Sequence, residues 1–210
     1  MKLVEYADQE MMMIDLANHL AGELENCLLT HEHASFAVPG GTTPGPMFDA
    51  LCAASLDWSR VHVLLTDERR VPPNHERSNQ RLLRERLLTN RASEARYIDI
   101  TADPDMVAEL PISVMLLGMG ADMHTASLFP GSPDLEVALT SEAPLMKVEA
   151  SDGLEPRVTL TGPVLAASMS CHVLITGAAK RAALERAVDL DPREAPIATV
   201  LSHATIHWAP

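Results

Sequence analysis

Residues 171–189 read CHVLITGAAKRAALERAVD. A strand-length apolar run stops at Gly177, and the residues after it place Ala and Leu at helical spacing among Lys, Arg and Glu. That is one strand followed by one amphipathic helix, and the unit recurs along the chain. Strands are expected in SFAVPGG (35–41), VHVLLTDER (61–69), SVMLLGMG (113–120), LMKVEAS (145–151) and TIHWAP (205–210). Helical segments are expected at 9–32, in TPGPMFDALCAA (43–54), SNQRLLRERLLTN (78–90), near PDMVAEL (104–110), in TGPVLAAS (161–168) and in PIATVLSHA (196–204). The strands are too apolar to keep one face wet, so the pattern predicts an α/β fold. It is a mainly parallel, doubly wound, Rossmann-like sheet with helices on both faces, in a single domain over 1–210.

Composition agrees with one such domain. The chain has 210 residues, 47% of them hydrophobic, which is enough for a full core. Its 16 Lys and Arg stand against 29 Asp and Glu, and the net charge of −13 repels phosphate backbones. Nucleic acid is therefore not an expected partner, and an anionic substrate needs a local basic pocket. Glu5, Asp8 and Glu10 stand where a secretory signal is apolar, and no run approaches the ~18 apolar residues of a membrane helix. A cytoplasmic protein is expected.

Sheets of this kind bind ligands beyond the carboxyl ends of their strands. Four strand ends carry unusual residues: Gly40, Gly41, Thr42 and Thr43 after SFAV, Asp67, Glu68 and Arg69 after VHVLLT, Gly118 to His124 after SVMLL, and Gly177 to Lys180 after CHVLIT. In PGGTTP, Thr43 reads as an N-cap and Pro44 as the first helical residue, and the glycines and hydroxyls suit a phosphate. A plain strand-to-helix turn has the same pattern. Asp67 leaves a buried strand, with Arg69 its nearest partner, in a loop that runs through Pro72 and Pro73 to a cap at Ser78. Asp122 and His124 lie two apart, with His124 at the entrance to a short helix. A histidine there suits a general base, and a structural histidine fits as well. Arg157 and Lys180 sit beside apolar strands or in a first helical turn, where a substrate phosphate restores charge balance.

Other constellations predict no cofactor. Met123 fills the third glycine position of G-x-G-x-x-G, so no NAD site is expected. His31 and His33 read as exposed loop residues, while His62, His172 and His207 alternate with apolar neighbours as sheet positions. No metal site is expected from either set. Cys27, Cys52 and Cys171 read as buried thiols, and Met11, Met12 and Met13 as core filling. H-E-x-x-H and G-x-S-x-G are both absent, which disfavours a zinc protease or a serine esterase.

At these residues the chain resembles the 6-phosphogluconolactonases, grouped with the glucosamine-6-phosphate deaminases in one sugar-phosphate superfamily. The resemblance spans nearly the whole chain: PGGTTP, TDERRVPPNHERSN, GMGADMHTASLFPG, RVTLTGPVL, the G-x-x-K at Gly177–Lys180, and the terminal TIHWAP. It implies hydrolysis of 6-phospho-D-glucono-1,5-lactone in the oxidative pentose phosphate pathway, without metal or covalent nucleophile. His124 is then the general base, Asp67 and Arg69 lie by the sugar, and Asp122 positions the histidine or the sugar hydroxyls. Gly40, Gly41, Thr42, Thr43, Arg157 and Lys180 then hold the phosphate. The one departure is Met123, where the commoner pattern has glycine. A positive φ would make a side chain there costly. The rival readings are a deaminase or isomerase of an amino-sugar phosphate and a non-catalytic sugar-phosphate sensor. The expected assembly is a monomer or weak homodimer.

Overall fold

The computed structural model describes residues 1–103, 107, 111–150 and 154–210. The helix expected near PDMVAEL lies mostly outside the described residues. Ten strands are described: β1 Lys2–Glu5, β2 Ala34–Val38, β3 Val61–Leu65, β4 Asp67–Arg69, β5 Arg96–Ile98, β6 Val114–Gly118, β7 Leu145–Val148, β8 Arg157–Leu160, β9 Ser170–Thr176 and β10 Thr205–Ala209. The described helices are α1 Gln9–Thr30, α2 Gly45–Leu51, α3 Asn79–Arg86, α4 Leu135–Thr140, α5 Gly162–Ala166, α6 Gly177–Ala187 and α7 Ala198–Leu201.

Seven strands form one sheet in the order β1-β10-β9-β6-β2-β3-β5, and every neighbouring pair is parallel. Its central strands are buried end to end, as continuous apolar runs demand. From β2 the chain builds outward through β3 to β5, then returns to the other side of β2 with β6. The space between β2 and β6 is thus the switch point of the sheet, where a crevice opens above the strand ends. Helix α1 covers this sheet with Met12, Leu16, Leu20 and Leu24 fully buried. Asp8 caps it by accepting a 2.8 Å hydrogen bond from the Met11 amide.

Several expectations need correction. The run VHVLLTDER is not one strand. Thr66 N–H donates to Val38 of β2 while Thr66 C=O accepts from Leu160 of β8, so the chain passes from the large sheet to a small antiparallel one, β4-β8-β7. LMKVEAS and the segment at Arg157 belong to that small sheet. The edge strands β1 and β5 escaped notice because they are short and mix polar with apolar residues. Met11 is exposed, unlike Met12 and Met13, and Cys27 is only half-buried, unlike Cys52 and Cys171.

Candidate active site

A cavity of about 390 Å³ lies over the switch point, lined by the ends of β2, β4, β6, β8 and β9 and the start of α6. Eight of the sequence-predicted residues line it: Gly40, Gly41, Thr43, Asp67, Arg69, His124, Arg157 and Lys180. Thr42 is exposed and does not line it, and Asp122 stands behind His124. Arg77, Asn79, Phe129 and Leu154 line it as well. Arg77 and Asn79 lay in the quoted loop, but only their fold-back toward β4 gives them a place.

The loop after β2 does not cap a helix with Thr43. Pro44 takes helical angles at the N-cap position, Gly45 N–H closes the turn on Thr42 C=O at 3.3 Å, and α2 begins at Gly45. Gly41 has φ of +82°, open to glycine at little cost. A Cβ on Gly40 would overlap the side chain of Asn79. That asparagine donates to the Asp67 carbonyl at 2.9 Å and accepts from Arg69 Nη1 at 2.8 Å. The missing side chain at position 40 is thus what lets Asn79 tie the β4 loop down.

The small sheet sets the charge of the cavity. Its register puts Arg157 directly opposite Arg69, a like-charge pair that destabilises a ladder unless something compensates. Arg157 is buried, 3.7 Å from Asp67, and lies over the Phe129 ring. Burial lowers its pKa from the ordinary arginine value, opposed by Asp67 and assisted by Arg69. Arg69 Nη1 also donates to the Arg77 carbonyl at 2.6 Å, and its Nε is buried without a partner among the described residues. Burial lowers the pKa of Lys180 too. Among the lining residues, four cations face the single carboxylate of Asp67, which accepts a 2.6 Å hydrogen bond from Ser127. The arrangement invites an anion.

Glu68 points the other way from this face. Its carboxylate accepts from the amides of Arg69, Asn79 and Gln80 and from the Ser78 hydroxyl, at 2.6–3.0 Å. It holds the N-terminus of α3 from outside, beside the Ser78 cap, which accepts from Arg81 N–H at 3.2 Å.

His124 is not at a helix entrance. It sits in a loop closed by two hydrogen bonds at 3.0 Å, Gly120 N–H to its own carbonyl and Met123 N–H to that of Gly120. Asp122 Oδ1 lies 2.6 Å from His124 Nδ1, and a carboxylate partner there favours a proton on Nδ1. The ring packs against Phe129, with centroids 5.0 Å apart. Met123 has φ of +70°, the left-handed conformation that makes a side chain costly, and it packs partly buried against the core.

The family model for glucosamine-6-phosphate isomerases/6-phosphogluconolactonase matches residues 7–208. The chain belongs to that family. A 6-phosphogluconolactonase of Rhizobium meliloti is 39% identical over 215 residues, covering 93% of each chain. One from Pseudomonas aeruginosa is 39% identical over 212 residues, covering 93% of this chain and 89% of its own. Among solved structures, a 6-phosphogluconolactonase from Shewanella baltica superposes with a TM-score of 0.94 at 32% identity, over 100% of this chain and 97% of that one. A monomeric glucosamine-6-phosphate deaminase superposes with a TM-score of 0.84 at 15% identity, a likeness of fold alone. Among the described residues no helix is long and apolar enough to cross a membrane.

Proposed function

We propose that the chain hydrolyses 6-phospho-D-glucono-1,5-lactone to 6-phosphogluconate, with His124 as general base. The observation that carries this reading is a carboxylate-oriented imidazole sharing one cavity with four cations. A δ-lactone is an activated ester, so a positioned water and a base suffice. His124 Nε2 takes a proton from water as its oxygen attacks C1. The C1–ring oxygen bond then breaks and the imidazolium returns the proton to the departing ring oxygen, leaving a C5 hydroxyl and a carboxylic acid that ionises. Asp122 stabilises the transient imidazolium. Arg157 and Lys180, with Gly40, Gly41 and Thr43, hold the phosphate far from C1, so that its binding energy fixes orientation. Asp67 and Arg69 meet the sugar.

The whole chain, 1–210, serves as one sugar-phosphate-binding unit in the cytoplasm, as a monomer or weak homodimer, with no nucleic-acid partner. Support comes from the net charge of −13 and from relatives of matching length. The test is proton release from freshly made 6-phosphogluconolactone with spontaneous hydrolysis subtracted, and ammonia release from glucosamine 6-phosphate as the counter-assay. Ammonia release without lactone hydrolysis would overturn the reading.

A further inference from the structure

Away from this cavity, the sheet holds a second cluster of ligating side chains. His19 and Glu23 are four residues apart on α1 and so share one face. That face meets the amino-terminal part of β9 and the middle of β10, where His172 and His207 lie side by side. His172 Nε2 is 2.9 Å from Glu23 Oε2, and His19 Nε2 is 3.2 Å from Glu23 Oε1. One ligand atom from each of His19, Glu23 and His172 lies within 4.8 Å of the others.

We propose that His19, Glu23 and His172 form a site for a divalent transition metal, zinc by preference, that fastens α1 to β9. A tetrahedral zinc with bonds of about 2.0–2.1 Å places its ligand atoms about 3.3 Å apart, so ligand atoms that now lie within 4.8 Å of one another close by up to roughly 1.5 Å to bind it. Two imidazoles and one carboxylate suit zinc far better than magnesium or calcium, which prefer oxygen. The outer shell is already in place. His172 Nδ1 lies 3.0 Å from His207 Nε2, and His207 Nδ1 lies 2.9 Å from the Tyr6 hydroxyl. Without metal, protons run from Tyr6 through His207 and His172 to Glu23. With metal on His172 Nε2, the same chain reverses, so that His172 Nδ1–H donates to His207 and His207 Nδ1–H to Tyr6. A ligating histidine needs such an acceptor for its second nitrogen. His172 is buried, whereas His19 is half-exposed and leaves the fourth position to water.

The site is separate from the cavity. His172 precedes Gly177 by five residues of strand, roughly 16 Å at about 3.3 Å per residue, toward the opposite end of the sheet. It also escaped linear spacing, because Glu23 and His172 are 149 residues apart.

The experiment is a zinc titration of the chelator-treated full chain by calorimetry, with thermal unfolding followed in parallel. One zinc per chain is expected, together with a rise in Tm. His19→Ala and Glu23→Gln are each expected to weaken binding at least tenfold and to abolish the Tm rise, while His124→Gln leaves both intact. Lactone hydrolysis should be equal with zinc or chelator present. Absence of a saturable isotherm up to about 0.1 mM zinc would overturn the site, since a folded three-ligand site binds far more tightly. So would an isotherm unchanged in both α1 variants, or one lost in His124→Gln.

Discussion

Replacing Glu68 by glutamine changes one atom and tests whether the cavity depends on an anchor that never touches it. The Glu68 side chain receives four hydrogen bonds, two on each oxygen: Arg69 and Asn79 amides on Oε1, the Ser78 hydroxyl and Gln80 amide on Oε2. A glutamine amide can satisfy one pair, but its NH2 then faces the other two donors. Hydrogen bonds to a charged group are worth about 1.5–3 kcal/mol each, and Glu68 is buried, so losing two costs about 3–5 kcal/mol after local relaxation. For a chain of this size that lowers Tm by roughly 6–20 °C. The same loop carries Arg69, Arg77 and Asn79 into the cavity. KM for the lactone is therefore expected to rise several-fold at 15 °C, where the variant is still folded, with a smaller change in kcat. Differential scanning calorimetry and initial rates give both numbers. A destabilisation under about 1 kcal/mol, or a large Tm loss with unchanged KM, would refute the coupling.

His124→Gln should keep affinity for 6-phosphogluconate by calorimetry while turnover falls by the ~10²–10⁴ typical of a lost general base. Turnover within a few-fold of the parent would move the role to Asp67 or Asp122. Lys180→Ala removes one charge-assisted contact, so kcat/KM should drop by about ten- to a hundredfold, as initial rates will show. Burial lowers the pKa of Lys180, so product affinity should begin to weaken below the ordinary lysine value of 10.5 as pH rises, and Lys180→Arg should flatten that limb. Exhaustive chelation should leave the hydrolytic rate unaltered.

Much of this was written locally. Apolar runs ending in glycine or acid announced β2, β3, β6 and β9, and their strand ends supplied most of the cavity lining, because a parallel sheet collects its carboxyl ends on one edge. The Ser78 cap was equally legible, since its partner lies only three residues on. What stayed hidden depends on distant chain. Nothing near Thr66 tells the strand to leave its sheet, because its acceptor role is toward Leu160. The same holds for the opposition of Arg69 to Arg157, set by the β4–β8 register, and for the meeting of His19 and Glu23 with His172. The place of Thr42 outside the cavity follows from a turn closed one residue later than the N-cap pattern implied.

The cation-rich cavity on a chain of net charge −13 gives the protein an unusual response to ionic strength. A dianionic substrate approaching from afar meets the repulsive field of the acidic surface, and only at short range does it meet Arg157 and Lys180. Added salt acts first on the outer field, because the Debye length shrinks to ~10 Å at 0.1 M while contacts inside the cavity are screened much less. Capture should therefore quicken as salt is raised from very low values and slow again only when ions compete for the pocket itself. Such a maximum is the reverse of the monotonic decline expected of an enzyme that steers its substrate by overall charge.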